Sequence, residues 1–93
     1  MYATIRWYGG NPELAGQLAA RAEDVKALIS DVAGFQAYYL VHVAGGTVSI
    51  TVCDDQAGTD ESNRVAAAWL KENMPDVSVA PPAVSSGEVV LSA

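Results

Sequence analysis

Ninety-three residues with 51% hydrophobic side chains, 5 Lys+Arg and 11 Asp+Glu, a formal net charge of −6, make room for one domain over 1–93 and exclude intrinsic disorder. The five cations (Arg6, Arg21, Lys26, Arg64, Lys71) are scattered, so neither nucleic acid nor an anionic membrane surface is an expected partner, since both are bound through clustered Lys and Arg. Covering so much apolar surface in so small a chain is difficult, and a subunit interface is the expected place for the remainder.

Residues 2–8, YATIRWY, are β-branched and aromatic and read as a strand stopped by Gly9-Gly10. Asn11-Pro12-Glu13 then supplies an N-cap, a proline at the first helical position and an acid in the first turn. Leu14, Leu18, Ala22, Val25, Leu28, Ile29 and Val32 follow at helical spacing, predicting one amphipathic helix that ends at Ala33-Gly34. Residues 35–43 and 47–53 read as two strands of a hairpin turning on Gly45-Gly46. That turn pairs Val43 with Val48, Val41 with Ile50 and Tyr39 with Val52 on an apolar face. On the mixed face it pairs His42 with Ser49, Leu40 with Thr51 and Tyr38 with Cys53. A second helix is expected from residue 56 or 59 to Asn73, with an acidic entrance and an inner stripe of Ser62, Val65, Ala66, Trp69 and Leu70. Residues 75–83 read as an extended crossover and 88–91, EVVL, as a short last strand. The order β-α-β-β-α-β is the split βαβ arrangement of the ferredoxin-like α+β fold, with a four-stranded antiparallel sheet.

Two helices cover one face of such a sheet. If the set containing Val41, Ile50 and Val52 lies under them, then Tyr38, Leu40, His42 and Cys53 face away, an odd group to leave in water. A solvated second face is one outcome; a second copy of the chain packed on it is the other, and the favoured one, because small homo-oligomers are commonly two-fold dimers.

No phosphate loop, nucleotide-binding glycine motif, zinc-protease motif or nucleophile elbow is present. One His and one Cys cannot assemble a metal site with surface carboxylates, and the lone Cys53 leaves no intrachain disulfide. No apolar run reaches membrane-spanning length and the N-terminus lacks a signal-peptide layout, so a cytoplasmic protein is expected. Trp7, Tyr39 and Trp69 are candidates to line a cleft between sheet and helices, or are packing residues. Arg6, inside an otherwise apolar strand, needs a partner if buried: an acid across a subunit boundary or an anionic ligand group. His42 reads as an interface histidine or a ligand contact. Cys53 reads as a small buried hydrophobe. Asn63 and Arg64 are helix-surface polars unless the helix turns them into the cleft.

The strings GFQAYYLV after the first helix, SITVCDDQAG at the third strand and ESNRVAAAWLKENMP on the second helix carry a further signal. Through them the chain resembles the dimeric α/β-barrel superfamily, in particular small proteins of the antibiotic biosynthesis monooxygenase type. The resemblance implies a ferredoxin-like protomer whose sheet packs on its partner's, a homodimer, and a pocket between sheet and helices. It implies oxygenases that need no cofactor and act on aromatic substrates, with Trp69, Asn63 and Trp7 as the catalytic candidates. Arg6, Tyr39 and His42 are the ligand-binding candidates, for a small aromatic or hydroquinone-like molecule. The haem-degrading branch has an Asn on the first strand and a His after the helix Trp; Arg6-Trp7-Tyr8 and the absence of a His after Trp69 depart from it. The alternative is a homodimer that binds a small molecule without turnover.

Overall fold

Strand β1 (Tyr2–Gly9) occupies an inner position in the sheet, where its β-branched and aromatic residues are used on both faces. Helices α1 (Leu14–Ala20) and α2 (Ala22–Ser30) follow, then β2 (Phe35–Val43), β3 (Gly46–Cys53), α3 (Gln56–Asn73) and β4 (Ala83–Glu88). The computed structural model describes residues 1–11, 13–75 and 81–93. The sheet runs β2-β3-β1-β4 with every neighbouring pair antiparallel, the strand order of a ferredoxin-like protomer. Among the described residues no helix is long and apolar enough to cross a membrane.

The expected single first helix is two. Its periodicity is intact, with Leu14 and Leu18 buried on α1 and Val25 and Ile29 on α2, but the backbone breaks at Arg21 (φ −113°, ψ 33°). There the Arg21 amide bonds back to Leu18 at 3.0 Å, a three-residue step in place of the α-helical four. The Arg21 side chain leaves the helix to donate to the Asn73 carbonyl at the end of α3. Upstream, the Asn11 side chain accepts from the Glu13 amide at 3.0 Å, so the expected cap holds the turn that precedes the helix rather than its first residue. The expected role of Pro12 lies outside the described residues. The second helix agrees with its expected span. Asp55 is extended (φ −145°) and its carboxylate accepts the Gly58 amide at 3.1 Å, an N-cap, while Met74 ends the helix.

Two strand expectations are corrected. The hairpin turns on Ala44-Gly45, not Gly45-Gly46, so Val43 opposes Gly46, Val41 opposes Val48 and Tyr39 opposes Ile50. Only Gly45 takes a positive φ (+82°); a Cβ on Gly46 would stand 2.3 Å from the Tyr8 carbonyl oxygen, so Gly46 is needed where β3 passes β1. The register thus moves by two residues and every side chain keeps its face, with an irregularity between Phe35 and Ala37. The last strand is Ala83–Glu88 rather than 88–91. It pairs with β1 from Trp7 to Tyr2, and the Val89 amide reaches the Met1 carbonyl. Of the expected crossover 75–83, residues 76–80 lie outside the described residues.

The faces are the reverse of the expected ones. The parity carrying Ile5, Trp7, Tyr39, Val41, Val48, Ile50 and Val52 points away from the helices, and Ile5, Trp7, Tyr39 and Val41 are exposed. The mixed parity points toward them: Thr4, Arg6, Thr47, Ser49, Thr51 and Cys53 are buried there, and Tyr38 and Leu40 pack on the core of Tyr8, Leu14, Leu18, Val25, Ile29 and Met74. The helices cover the polar half of the sheet, and the apolar half is left open.

Candidate functional site

The buried polarity of the sheet gathers around Arg6, which projects from β1 beneath α3 and is only 2% exposed. Its Nε donates to Ser49 Oγ and its Nη2 to Thr51 Oγ1, both at 2.8 Å and both from the neighbouring strand β3. Nη1 donates to Asn63 Oδ1 at 2.8 Å, with a longer bond to Ser62 Oγ at 3.4 Å. Because a guanidinium only donates, it fixes the Asn63 amide with oxygen toward Arg6, and the Asn63 Nδ2 donates to Thr4 Oγ1 at 3.1 Å. Ser86 of β4 donates to the same Thr4 hydroxyl at 2.8 Å. Three strands and α3 are thereby tied through one cation.

Among the described residues, every hydrogen-bond acceptor of Arg6 is uncharged. Among the described residues Arg6 forms no ion pair; the ion pairs present are the exposed helical ones Arg21–Asp24, Lys26–Glu23 and Arg64–Glu61. The phenols beside it are not anions either. Burial pushes Tyr8 and Tyr38 above the usual phenol range, and the nearby positive charge of Arg6 only partly opposes this. An arginine cannot shed its charge to relieve burial, and among the described residues no negative charge compensates it.

Arg6, Tyr8 and Asn63 form the polar part of the lining of an open cavity of about 420 Å³, whose walls include Leu70, Met74, Pro81 and Val84, with Lys71 also in the lining. Behind it, Arg6 and Tyr8 also line a void of about 30 Å³ with Tyr38, Ser49 and Trp69. A larger groove of about 520 Å³ lies between the α1–α2 pair and β2, lined by Leu18, Val25, Phe35, Leu40, Tyr38 and Lys26 among others. The Arg6 cavity is the stronger candidate despite its smaller volume, because an apolar hollow with a few convergent polar groups is the usual form of a small-molecule site.

Of the residues singled out from the sequence, Arg6 and Asn63 meet at 2.8 Å, and Trp69 lies behind them. One face of the Trp69 ring is covered by the Arg21 guanidinium, 4.9 Å from the ring centroid. Trp7 and Tyr39 do not line the cleft: they stand on the opposite face of the sheet, 44% and 59% exposed, because the outer parity of β1 and β2 carries them. His42 is exposed near the end of β2, opposite Thr47, and reaches no described cavity. Arg64 points outward and pairs with Glu61. Cys53 is fully buried against Gly58, and burial pushes its thiol above the usual range. Among the described residues no group of three His, Cys, Asp or Glu is placed to hold a metal ion. The sequence reading missed Tyr8, Ser49, Thr51, Ser62 and Lys71. The signal was present in the alternation Thr47-Ser49-Thr51, which shares a parity with no exposed role.

No family model matches the chain, and no curated protein matches it by sequence. Solved structures do match. A protein of unknown function from Nitrosomonas europaea is 19% identical with a TM-score of 0.75, over 99% of this chain and 91% of that one. The heme-degrader MhuD from Mycobacterium tuberculosis, solved with two hemes in its active site, is 17% identical with a TM-score of 0.72, over 100% and 99%. A monooxygenase from Streptomyces coelicolor, ActVA-Orf6, solved in complex with nanaomycin D, is 17% identical with a TM-score of 0.64, over 98% and 91%. With its strand order and end-to-end superposition on these proteins, the chain has the ferredoxin-like fold.

Proposed function

We propose that the chain is a homodimer whose protomers each bind a small aromatic molecule in the α3 cleft and oxygenate it without a cofactor. The observation that carries this reading is the cavity itself, an apolar-walled hollow ending on the buried Arg6–Asn63 pair. The bound nanaomycin D of the Streptomyces coelicolor monooxygenase supports a polycyclic aromatic as the ligand class. The open apolar sheet face supports the dimer, since monomeric proteins rarely expose contiguous apolar patches of such extent.

In this reading the ring of an electron-rich substrate, such as an anthrone that enters as its enolate, lies between Leu70, Met74 and Val84 with its ionised oxygen toward Arg6. The ring carbon opposite that oxygen, which keeps one hydrogen, reacts with O₂: one oxygen atom becomes the new carbonyl and the other leaves as hydroxide with that hydrogen. The substrate's own C–H electrons reduce the O₂, so no outside reductant is consumed. Arg6 supplies a fixed positive charge where oxyanion character develops, Asn63 holds Arg6 in place, and Trp69 closes the inner end against water. Trp7 and Tyr39 belong to the dimer seam, and His42 has no part in the chemistry.

Binding without turnover is favoured by one feature: no His or carboxylate lies in the cavity lining among the described residues, so no general base stands ready. Oxygen-electrode measurements with anthrones and hydroquinones separate the readings. Uptake that falls in Trp69→Ala supports oxygenation. Thermal stabilisation by the same compounds with no uptake supports binding alone, and neither effect refutes both.

A further inference from the structure

Resting on the reading of the α3 cleft as a ligand site, we infer that its ligand is a preformed monoanion, an aromatic body carrying one ionised oxygen that docks on Arg6. Four observations converge. Arg6 is buried, permanently charged and, among the described residues, surrounded by neutral acceptors, whereas buried charges are as a rule paired with one of opposite sign. The cavity on which it opens has a second cation, Lys71, in its lining and, among the described residues, no Asp or Glu. Tyr8 does not provide the missing charge, because burial holds its phenol protonated. Among the described residues the lining also has no His or carboxylate to remove a proton, so an anionic ligand has to enter already ionised. A carboxylate or an acidic enol or phenol meets this requirement; an ordinary phenol, neutral at pH 7, does not.

The volume of about 420 Å³ and the walls of Leu70, Met74, Pro81 and Val84 suit a bicyclic or tricyclic body. The long Arg6–Ser62 bond of 3.4 Å is the weakest of the network and the one an incoming oxygen replaces at least loss.

The test compares 1-naphthoate with the uncharged 1-naphthamide by calorimetric titration of the wild-type protein, Asn63→Asp and Ala67→Trp. Asn63→Asp gives Arg6 an internal counter-charge at the same atom positions, with the Thr4 hydroxyl free to donate to the new oxygen, and so keeps the fold while filling the electrostatic vacancy. Ala67, in the lining, becomes a plug as tryptophan. The expected result is that naphthoate binds at least tenfold tighter than naphthamide, and that Asn63→Asp loses at least tenfold in naphthoate affinity with little change for naphthamide. Equal binding of the two compounds, or an unchanged naphthoate affinity in Asn63→Asp, overturns the inference. If the compounds bind equally and Ala67→Trp blocks both, the cleft remains the ligand site and only its anion preference is lost. Binding that ignores Ala67→Trp, or no binding of either compound at millimolar concentration, overturns the cleft reading as well.

Discussion

Replacing Trp7 with alanine should dissociate the dimer without unfolding the protomer. The indole lies across Gly9, where a Cβ would stand 2.3 Å from the ring, and it presents its other side to solvent on the open sheet face, 44% exposed. An aromatic side chain carries roughly 150–250 Å², so about 65–110 Å² of Trp7 remains to be covered by a partner. At about 25 cal/mol per Å² this is worth roughly 1.6–2.8 kcal/mol per copy, and about 3–5 kcal/mol for the two copies of a symmetric dimer. The dimer dissociation constant should therefore rise by about two to four orders of magnitude. Sedimentation equilibrium over a nanomolar-to-micromolar concentration series reads this directly, with Arg64→Ala on the outer surface of α3 as the variant that leaves association unchanged. A dimer whose dissociation constant is the same in Trp7→Ala, or a wild-type monomer at micromolar concentration, would refute the assignment of the apolar face to a second copy.

Three further outcomes follow from local structure. Asp55→Ala removes the carboxylate that accepts the Gly58 amide, and should cost about 1 kcal/mol, or roughly 4–8 °C in Tm for a domain of this size by thermal circular dichroism. Gly46→Ala should destabilise far more than Gly45→Ala. The first forces a methyl to 2.3 Å from a backbone oxygen of β1, whereas the second meets open space and bears only the left-handed penalty of about 1–2 kcal/mol. Stability should also fall as pH rises above about 8.5, because the native state holds Cys53, Tyr8 and Tyr38 protonated where the unfolded chain begins to release those protons. The folded pKa values are the raised ones, so this contribution is complete below the unfolded values and is lost through the folded ones. Urea melts at pH 7.5, 9 and 10.5 measure it, and a flat profile would contradict the buried placement of these groups.

The order of elements was legible because each rests on local chemistry: the Gly9-Gly10 stop, the helical spacing from Leu14 to Ile29, the acidic entrance to the second helix and the glycine turn at 45–46. The break at Arg21 was not, since the hydrophobic period runs straight through it and its cause is a contact with the far end of α3. The sheet faces were inverted for a related reason. A uniformly apolar parity reads as the inside, yet here it is the face left open, while the parity under the helices holds a hydroxyl-lined arginine. Arg6 was identifiable as an arginine in need of a partner, and Asn63 only as one that could turn inward. That Ser49, Thr51 and Ser62 would gather on Arg6 depended on the pairing of β1 with β3 and the docking of α3, long-range placements that no local signal in the sequence specifies. The aromatic set misled at Trp7 and Tyr39, whose size suits a ligand cleft and a subunit seam equally well.

The claim at the centre of this account is that ligand enters beneath α3 and meets Arg6. The most direct measurement is a titration of isotope-labelled protein with 1-naphthoate, followed by two-dimensional NMR of the Arg6 Nε–H and the Asn63 side-chain amide. The Nε–H, buried against Ser49, should give a resolved, slowly exchanging signal. The account predicts that these two resonances, with the Leu70 and Val84 amides, shift most and saturate together. Shifts concentrated instead at Leu18, Phe35 and Leu40, in the groove beside β2, with the Arg6 signal unmoved, would contradict it.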